Sequence, residues 1–477
     1  MGYRPSAELD RLMEQLLGSE KSCFFDSVGN QLPHTIRFNP LKGSQERLEE
    51  FLREQGFQFE PFPGFPDVYR LTYQPYPIGK SLSHFLGHFY VQDIASMLPP
   101  RVLQPQPGER VLDVSAAPGS KTTQMAVMMR NRGLIVANDV VQKRLRALIN
   151  NLQRLGIVNT AVVRTPGESF GNQYFETFDR ILLDPACSGL GTLHKSPEVL
   201  SWWTPNHVER LATGQRKLLA SALKALKPGG VLVYSTCTLT PQENEEVIDF
   251  ALREFPVELE KVELPGLKIR PGLTEFEGKT YHSQLRRTVR LYPFENQTEG
   301  FFLARLRKTE SLPREHQKRT YRPLRLNYLH HHTSPVKKYL DYFAQHFGIP
   351  RETFARYRYF MEKTIIGVTP ELADFPFRTR PMKTGLTIGR PMRQIGKLTT
   401  EGVHLFGEFA RKNVLELADL KAVEQFVNRQ PLELNGDFHA QVMVQYKGLS
   451  IGYGLAEEGR LKSQFPKAEW PFRLLPT

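Results

Sequence analysis

Through the middle of the chain, apolar positions come in short β-branched runs separated by longer amphipathic stretches. Arg110–Val114, Gly133–Asn138, Thr160–Arg164, Phe178–Leu183 and Gly230–Ser235 read as strands, and Lys121–Met129, Val141–Leu155, Pro205–Leu226 and Pro241–Arg253 as the helices between them. That alternation predicts an α/β fold, an open and mostly parallel sheet with helices on both faces. Ahead of it lie a helical pattern over Ser6–Leu17, an extended run from Thr35 that Pro40 ends, and a second helix over Gln45–Gln55. With the Pro- and aromatic-rich stretch Phe57–Tyr76 these suggest a small α+β module. Behind it come a strand at Phe301–Leu306, a Lys-, Arg- and Pro-rich linker over Arg307–Arg325, and a helix over Val336–Phe347. A hairpin follows, pairing Gln441–Tyr446 with Ser450–Leu455 across Lys447-Gly448-Leu449. The expected division is residues 1–100, 101–308, a basic linker over 309–334, and a C-terminal region over 335–477.

A length of 477 residues agrees with two or three domains rather than one core. No stretch approaches the roughly 18 consecutive apolar residues that cross a bilayer, and the N-terminus lacks the apolar core of a signal peptide, so a reducing cytoplasm is the expected setting. Three cysteines, Cys23, Cys187 and Cys237, are an odd number without paired spacings, which leaves them to act as thiols. The net charge of +13 and pI near 9.5 favour a polyanionic partner over a merely solvated basic surface. His330, His331 and His332 point apart and have no Cys or carboxylate companions, so no metal is expected. Trp202 and Trp203 suit helix packing better than base stacking, and Lys195 suits either a phosphate contact or a solvated surface. Nothing in the pattern fixes an oligomeric state.

Open α/β sheets bind ligands beyond the carboxyl ends of their strands. After the first strand, Ser115, Ala116, Ala117, Pro118, Gly119, Ser120 and Lys121 form a small-residue loop entering a helix, where a carboxylate such as that of S-adenosylmethionine can approach backbone amides. Asp139, ending the second strand, is placed to accept hydrogen bonds from ribose hydroxyls. The fourth strand ends in Asp184-Pro185-Ala186-Cys187-Ser188-Gly189, and the fifth in Ser235-Thr236-Cys237-Thr238. Thr240-Pro241-Gln242-Glu243 then reads as a capping box, which would set Cys237 near a positive helix end. Parallel neighbouring strands bring both thiols to one cleft. Methylating cytosine carbon 5 requires a nucleophile added at carbon 6, for which a thiolate is suited, and then a second group to assist release. Asp184 is placed to hydrogen-bond ring nitrogen 3.

These residues resemble the Sun/Nop family of RNA cytosine-5 methyltransferases across about Arg37 to Arg307. The resemblance runs through Arg37-Phe38-Asn39, Ala117-Pro118-Gly119-Ser120-Lys121-Thr122, Asp184-Pro185-Ala186-Cys187-Ser188-Gly189, Ser235-Thr236-Cys237-Thr238 and Glu299-Gly300-Phe301-Phe302. It implies a Rossmann-like core, Cys237 as nucleophile, Cys187 in product release, and an S-adenosylmethionine site lined by Ser115–Lys121, Asp139 and Asp184. Length and layout are most similar to the bacterial RsmF-type enzymes, which implies structured RNA as partner, 16S rRNA or the small ribosomal subunit, contacted by the N-terminal module and a C-terminal PUA-like RNA-binding domain. Gly389–Lys397 and Gly448–Lys467 carry the C-terminal likeness. Transfer RNA is the alternative substrate, and a non-catalytic ribosome-assembly factor the alternative class. Two positions depart from the family pattern. Ala-Pro-Cys is replaced by Pro185-Ala186-Cys187, and the usual Asp-Gly at the third strand end by Pro166-Gly167-Glu168, with Glu168 a substitute contact to adenine.

Overall fold

The computed structural model describes residues 5–313, 321–324, 326–393 and 395–474. Near the N-terminus, the Ser6 hydroxyl accepts from Leu9 N and caps α1 (Ala7–Leu17), which buries Leu9, Leu12, Met13 and Leu17 at helical spacing. A short helix, α2 (Lys21–Ser27), follows and buries Phe24. Both bury these side chains in the same cluster as Leu190, Leu193 and Phe302 of the central domain. The remainder of the first module is a sheet of β1 (Thr35–Phe38), β2 (Gln58–Phe62), β3 (Phe65–Tyr73) and β4 (Phe89–Val91), in the order β2-β3-β1-β4. Helix α3 (Gln45–Glu54) covers it with Leu48, Phe51 and Leu52.

The central sheet carries β5 (Arg110–Asp113), β6 (Leu134–Asn138), β7 (Thr160–Val163), β8 (Phe178–Leu183) and β9 (Leu226–Thr236). They are parallel, in the spatial order β7-β6-β5-β8-β9. Every residue of β6 and β7 is buried, as helices on both faces require. Strands β10 (Val289–Leu291) and β11 (Phe301–Lys308) extend the sheet antiparallel beyond β9. Strand order reverses between β5 and β8, and the crevice at that point is where such sheets bind ligands. Among the connecting helices are α4 (Ser120–Met128), α5 (Gln142–Leu155), α6 (Pro205–Ala225) and α7 (Glu245–Glu254). Helix α7 begins four residues later than the Pro241 start read from sequence, and β9 begins four residues earlier than Gly230.

Residues after 335 divide their packing between the two preceding units. A four-stranded sheet within residues 358–398 encloses Phe343, Leu386 and Ile388 in a cluster that includes Val158 of the central domain. From this region the two-residue strand β12 (Lys383–Thr384) pairs antiparallel with β7 at the edge of the central sheet. A five-stranded sheet within residues 414–463 shares its core with the first module, joining Tyr446, Leu449 and Phe465 to Ile36, Phe38 and Phe51. The expected hairpin is present, with a tighter turn than read. Lys447 (φ 49°) and Gly448 (φ 72°) make a two-residue connection between Gln441–Tyr446 and Leu449–Glu457. In the linker, Leu324 and Leu329 form single bridges to Phe377 and Tyr359, while residues 314–320 and 325 lie outside the described residues. Among the described residues no helix is long and apolar enough to cross a membrane.

Candidate active site

At the carboxyl ends of β5, β6, β8 and β9 lies a cavity of about 710 Å³ that reaches from Asp139 to the two thiols. Leaving β5, the chain turns at Gly119, whose φ of 108° lies in the left-handed region and where a Cβ would stand 2.8 Å from Leu148 Cδ1. Ser115, Ala116, Ala117, Pro118, Ser120 and Lys121 line the cavity, and Gly119 lies behind them. Asn138 holds three strand ends in register, donating to Val114 O at 3.1 Å, accepting from Thr165 N at 2.9 Å, and offering its carbonyl to Ala116 N at 2.7 Å.

Asp139 bears on whether S-adenosylmethionine fits here. Its Oδ1 accepts from Val141 N at 2.9 Å, whereas Oδ2 is buried and accepts no hydrogen bond, although the Arg144 guanidinium stands 3.3 Å away. A buried carboxylate oxygen left without a donor is costly, and ribose hydroxyls would satisfy it. Val114, Val140, Gly167 and Leu218 give the same cavity apolar lining suited to a purine, and Glu168 also lines it. Pro166 does not line the cavity, so of the departing tripeptide only Gly167 and Glu168 reach it. A Cβ at Gly167 would fall 2.5 Å from Leu218 Cδ2, so a larger residue there would have to displace the Leu218 side chain.

At the other end the Cys187 and Cys237 sulfurs are 3.1 Å apart. Asp184 is held on both oxygens, accepting from Ser235 Oγ at 2.6 Å and pairing with Lys121 Nζ at 2.8 Å. Burial works against the Lys121 ammonium, but Asp184, and after it Cys237 and Glu299, hold it above the ordinary lysine range. Lys195 is likewise raised against burial by Glu299, its ion-pair partner, and by Cys237. Cys187 is pushed well above the usual thiol range by its hydrogen bond with Cys237, by burial, and by the charges of Cys237, Glu243 and Asp184. It is therefore a protonated thiol. Asp93, buried beside Glu299, rises to about 6.

One residue was misread from the sequence. Glu243 does not close a capping box. Its buried carboxylate accepts from Ser188 N (2.9 Å), Gln215 Nε2 (2.9 Å), Thr240 Oγ1 (2.7 Å) and Ser188 Oγ. The segment Thr240–Asn244 turns to allow this, α7 starts only at Glu245, and Cys237 is therefore not beside the first turn of α7. Gln215 also donates to Ala186 O at 2.9 Å, so Glu243 and Gln215 clamp the Cys187 loop to the segment after Cys237. Gly191 reinforces the clamp: its N–H donates to Cys237 O and its carbonyl accepts from Gly300 N, both at 2.9 Å. Asp93 and Glu299 also line the cavity, unanticipated from the sequence. Glu299 belongs to the Glu299-Gly300-Phe301-Phe302 motif, which was the available signal; Asp93 had none. Trp203 is 5% exposed in the core, Trp202 is 42% exposed, and Cys23 lines a different cavity. Among the described residues no metal-binding cluster exists.

A doubly wound sheet with this crevice, an acidic residue ending the second strand and paired thiols at the ends of the fourth and fifth define a Rossmann-like S-adenosylmethionine-dependent methyltransferase acting on RNA cytosine. Residues 100–307 match the family of 16S rRNA methyltransferase RsmB/F, and residues 7–94 match the N-terminal domain of 16S rRNA methyltransferase RsmF. The chain belongs to this family. It is 32% identical over 453 residues to ribosomal RNA small subunit methyltransferase F of Shewanella oneidensis, covering 93% of this chain and 92% of that one. It is 44% identical over 291 residues to the tRNA (cytosine(49)-C(5))-methyltransferase of Pyrococcus abyssi, covering 60% of this chain and 91% of that one. Among solved structures it resembles a methyltransferase homolog protein from Pyrococcus horikoshii (39% identity, TM-score 0.57, covering 62% of this chain and 93% of the other). It also resembles NSun6 from that organism (26%, TM-score 0.56, covering 64% and 99%).

Proposed function

We propose that this chain methylates a cytosine of 16S rRNA through a transient bond between Cys237 Sγ and carbon 6 of the base. The observation that carries the reading is the pair of thiols 3.1 Å apart, with Lys121 and Asp184 beside them. As the thiolate adds to carbon 6, electron density moves to carbon 5 and nitrogen 3; Asp184, fixed by Ser235 and Lys121, orients the ring at nitrogen 3 by accepting from the adjacent amino group, and the Lys121 ammonium offsets the negative charge that develops. When bound, S-adenosylmethionine would be held by Ser115–Lys121, Asp139 and Asp184, and would supply the methyl group on its sulfonium. Loss of the carbon-5 proton to water then restores the ring double bond and breaks the carbon–sulfur bond. Cys187, protonated and in contact with Cys237, stabilises the departing thiolate by hydrogen bonding.

Similarity to an RsmF enzyme along almost the whole chain supports the small-subunit substrate, because it takes in both terminal regions. The basic balance of +13 suits phosphate contacts, and we assign these to the N-terminal module and the C-terminal region after residue 335. Transfer RNA is the second reading, favoured by the higher identity of the catalytic part to the Pyrococcus abyssi enzyme. Mapping 5-methylcytosine in cells with and without the protein separates them: one small-subunit cytosine should lose its methyl group, whereas a loss confined to tRNA refutes the first reading. Cys237→Ala should abolish transfer, and Cys187→Ala should accumulate a protein–RNA adduct that survives denaturing gels. Normal turnover by Cys187→Ala would refute its role in release.

A further inference from the structure

A second cavity, of about 440 Å³, lies on the far side of the chain segment that walls the thiol site. Its floor is fixed by Phe24 of α2 and by Leu190 and Leu193, all buried in the central core, with Phe294 partly buried at one side. Its rim carries Asn30, Gln31, His194 and Gln297, whose side chains make no hydrogen bond within the described residues. A half-buried aromatic ring at one side and amide edges at the rim are groups with which proteins hold unstacked bases. The described lining contains Asp26 but no lysine or arginine, so it is not built for a phosphate.

The two cavities share their partition. Thr192 and Lys195 face the thiol site, while Gly191, Leu193 and His194 face the second cavity; similarly Glu299 lines the first and Gln297 the second. That partition is pinned by the hydrogen bonds of Gly191 to Cys237 and Gly300, and a side chain at Gly191 would fall 2.0 Å from Gly300 O.

We propose that this second cavity receives the nucleobase of a nucleotide adjacent to the target cytosine in the same RNA strand. The inference rests on the reading of the thiol cavity as the site of an RNA cytosine. Extruding that cytosine breaks the stack on both sides of it, and a neighbouring base that re-stacks on the half-buried Phe294 ring recovers part of the loss. Its polar edge then meets Asn30 and Gln31. Occupancy of the second cavity thus helps hold the target base in the first.

The test uses the full-length enzyme with S-adenosylmethionine and a synthetic oligonucleotide centred on the cytosine it methylates in deproteinised 16S rRNA. Companion oligonucleotides carry a single abasic residue at each position flanking that cytosine. Wild type should lose between about fivefold and about a hundredfold in kcat/KM at one flank. Phe294→Ala and the rim variant Asn30→Ala should show a comparable loss on the intact oligonucleotide and little further loss on the abasic one at that same flank. Binding of S-adenosylhomocysteine should be unchanged in both variants. Tolerance of every abasic flank, or losses that simply multiply, would overturn the proposal. Failure to methylate any RNA would instead overturn the substrate reading beneath it, and this inference with it.

Discussion

Replacing Glu243 tests whether the two thiol loops are held by one buried carboxylate. Glu243 is fully buried and takes four hydrogen bonds, from Ser188 N, Ser188 Oγ, Gln215 Nε2 and Thr240 Oγ1. Glu243→Ala leaves those donors without an acceptor, and hydrogen bonds to a charged group are among the stronger ones, so the loss should reach about 3 to 5 kcal/mol. If the central domain unfolds as a unit, its thermal midpoint falls by roughly 6–20 °C. Glu243→Gln should be milder. An amide oxygen in the place of Oε1 still accepts from Ser188 N and Gln215, and the Ser188 and Thr240 hydroxyls can rotate to accept from the new NH₂, for a cost of about 1 to 2 kcal/mol. Activity should follow geometry: a shift of about 1 Å between the loops costs on the order of a hundredfold in kcat. The assay is methyl transfer from labelled S-adenosylmethionine at saturating RNA, run beside thermal unfolding of the same preparations. A Glu243→Ala enzyme with wild-type kcat and an unchanged midpoint would refute the clamp. Equal damage from Gln and Ala would refute the argument that acceptors, rather than charge, are what the site needs.

Asp139→Ala removes the carboxylate whose Oδ2 is buried without a donor, and should weaken S-adenosylhomocysteine binding by about ten- to a hundredfold, read by calorimetry, while leaving RNA affinity unchanged. An unaltered Kd would remove Asp139 from the cofactor site. Asp113 is raised by burial from 3.8 to about 7, so the folded protein binds its proton more tightly than the unfolded chain does; the stability this confers is full below about pH 4 and is lost as pH rises through about 7. Asp113→Asn should therefore gain up to about 4 kcal/mol over wild type at pH 8 and nothing near pH 4, and thermal midpoints that differ equally at both values would contradict this. RNA binding should weaken at least tenfold between about 50 and about 200 mM salt, and a flat salt profile in a filter-binding assay would argue against phosphate-dominated recognition.

The parallel core was legible because burial on two faces leaves a plain mark, uninterrupted apolar runs such as Leu134–Asn138. Asp139, Asp184, Cys187 and Cys237 were legible for a different reason: a parallel sheet sends whatever follows each strand to one edge, so strand ends alone place them together. Glu243 was not. Thr240-Pro241-Gln242-Glu243 has the local chemistry of a capping box, and what overrides it is a set of donors around Ser188 and Gln215, far away in the chain and without a local signature. The two-residue strand Lys383–Thr384 was hidden because two residues have no period, and it exists only because β7 offers an open edge. Helix α1 was read correctly as a helix, but its apolar face does not say which core it joins. That Leu9 and Met13 join the core cluster of the central domain is decided by the shape of that domain.

Two identical thiols acquire different work from their surroundings. At 3.1 Å, two thiolates would repel by about 5 kcal/mol even at an effective dielectric constant of about 20, so at most one is ionised at a time. Cys187 meets the negative charges of Glu243 and Asp184 and is driven toward its protonated form. Cys237 instead interacts with the ammonium groups of Lys121 and Lys195, both kept charged by carboxylate partners. Cys187 therefore keeps its proton and can donate it toward the Cys237 sulfur. This gives Glu243 a second effect besides holding the loops: its carboxylate helps keep Cys187 from competing as a nucleophile. Unlike loop geometry, that effect would be lost in Glu243→Gln as well as in Glu243→Ala, and alkylation of Cys187 at fixed pH would detect it.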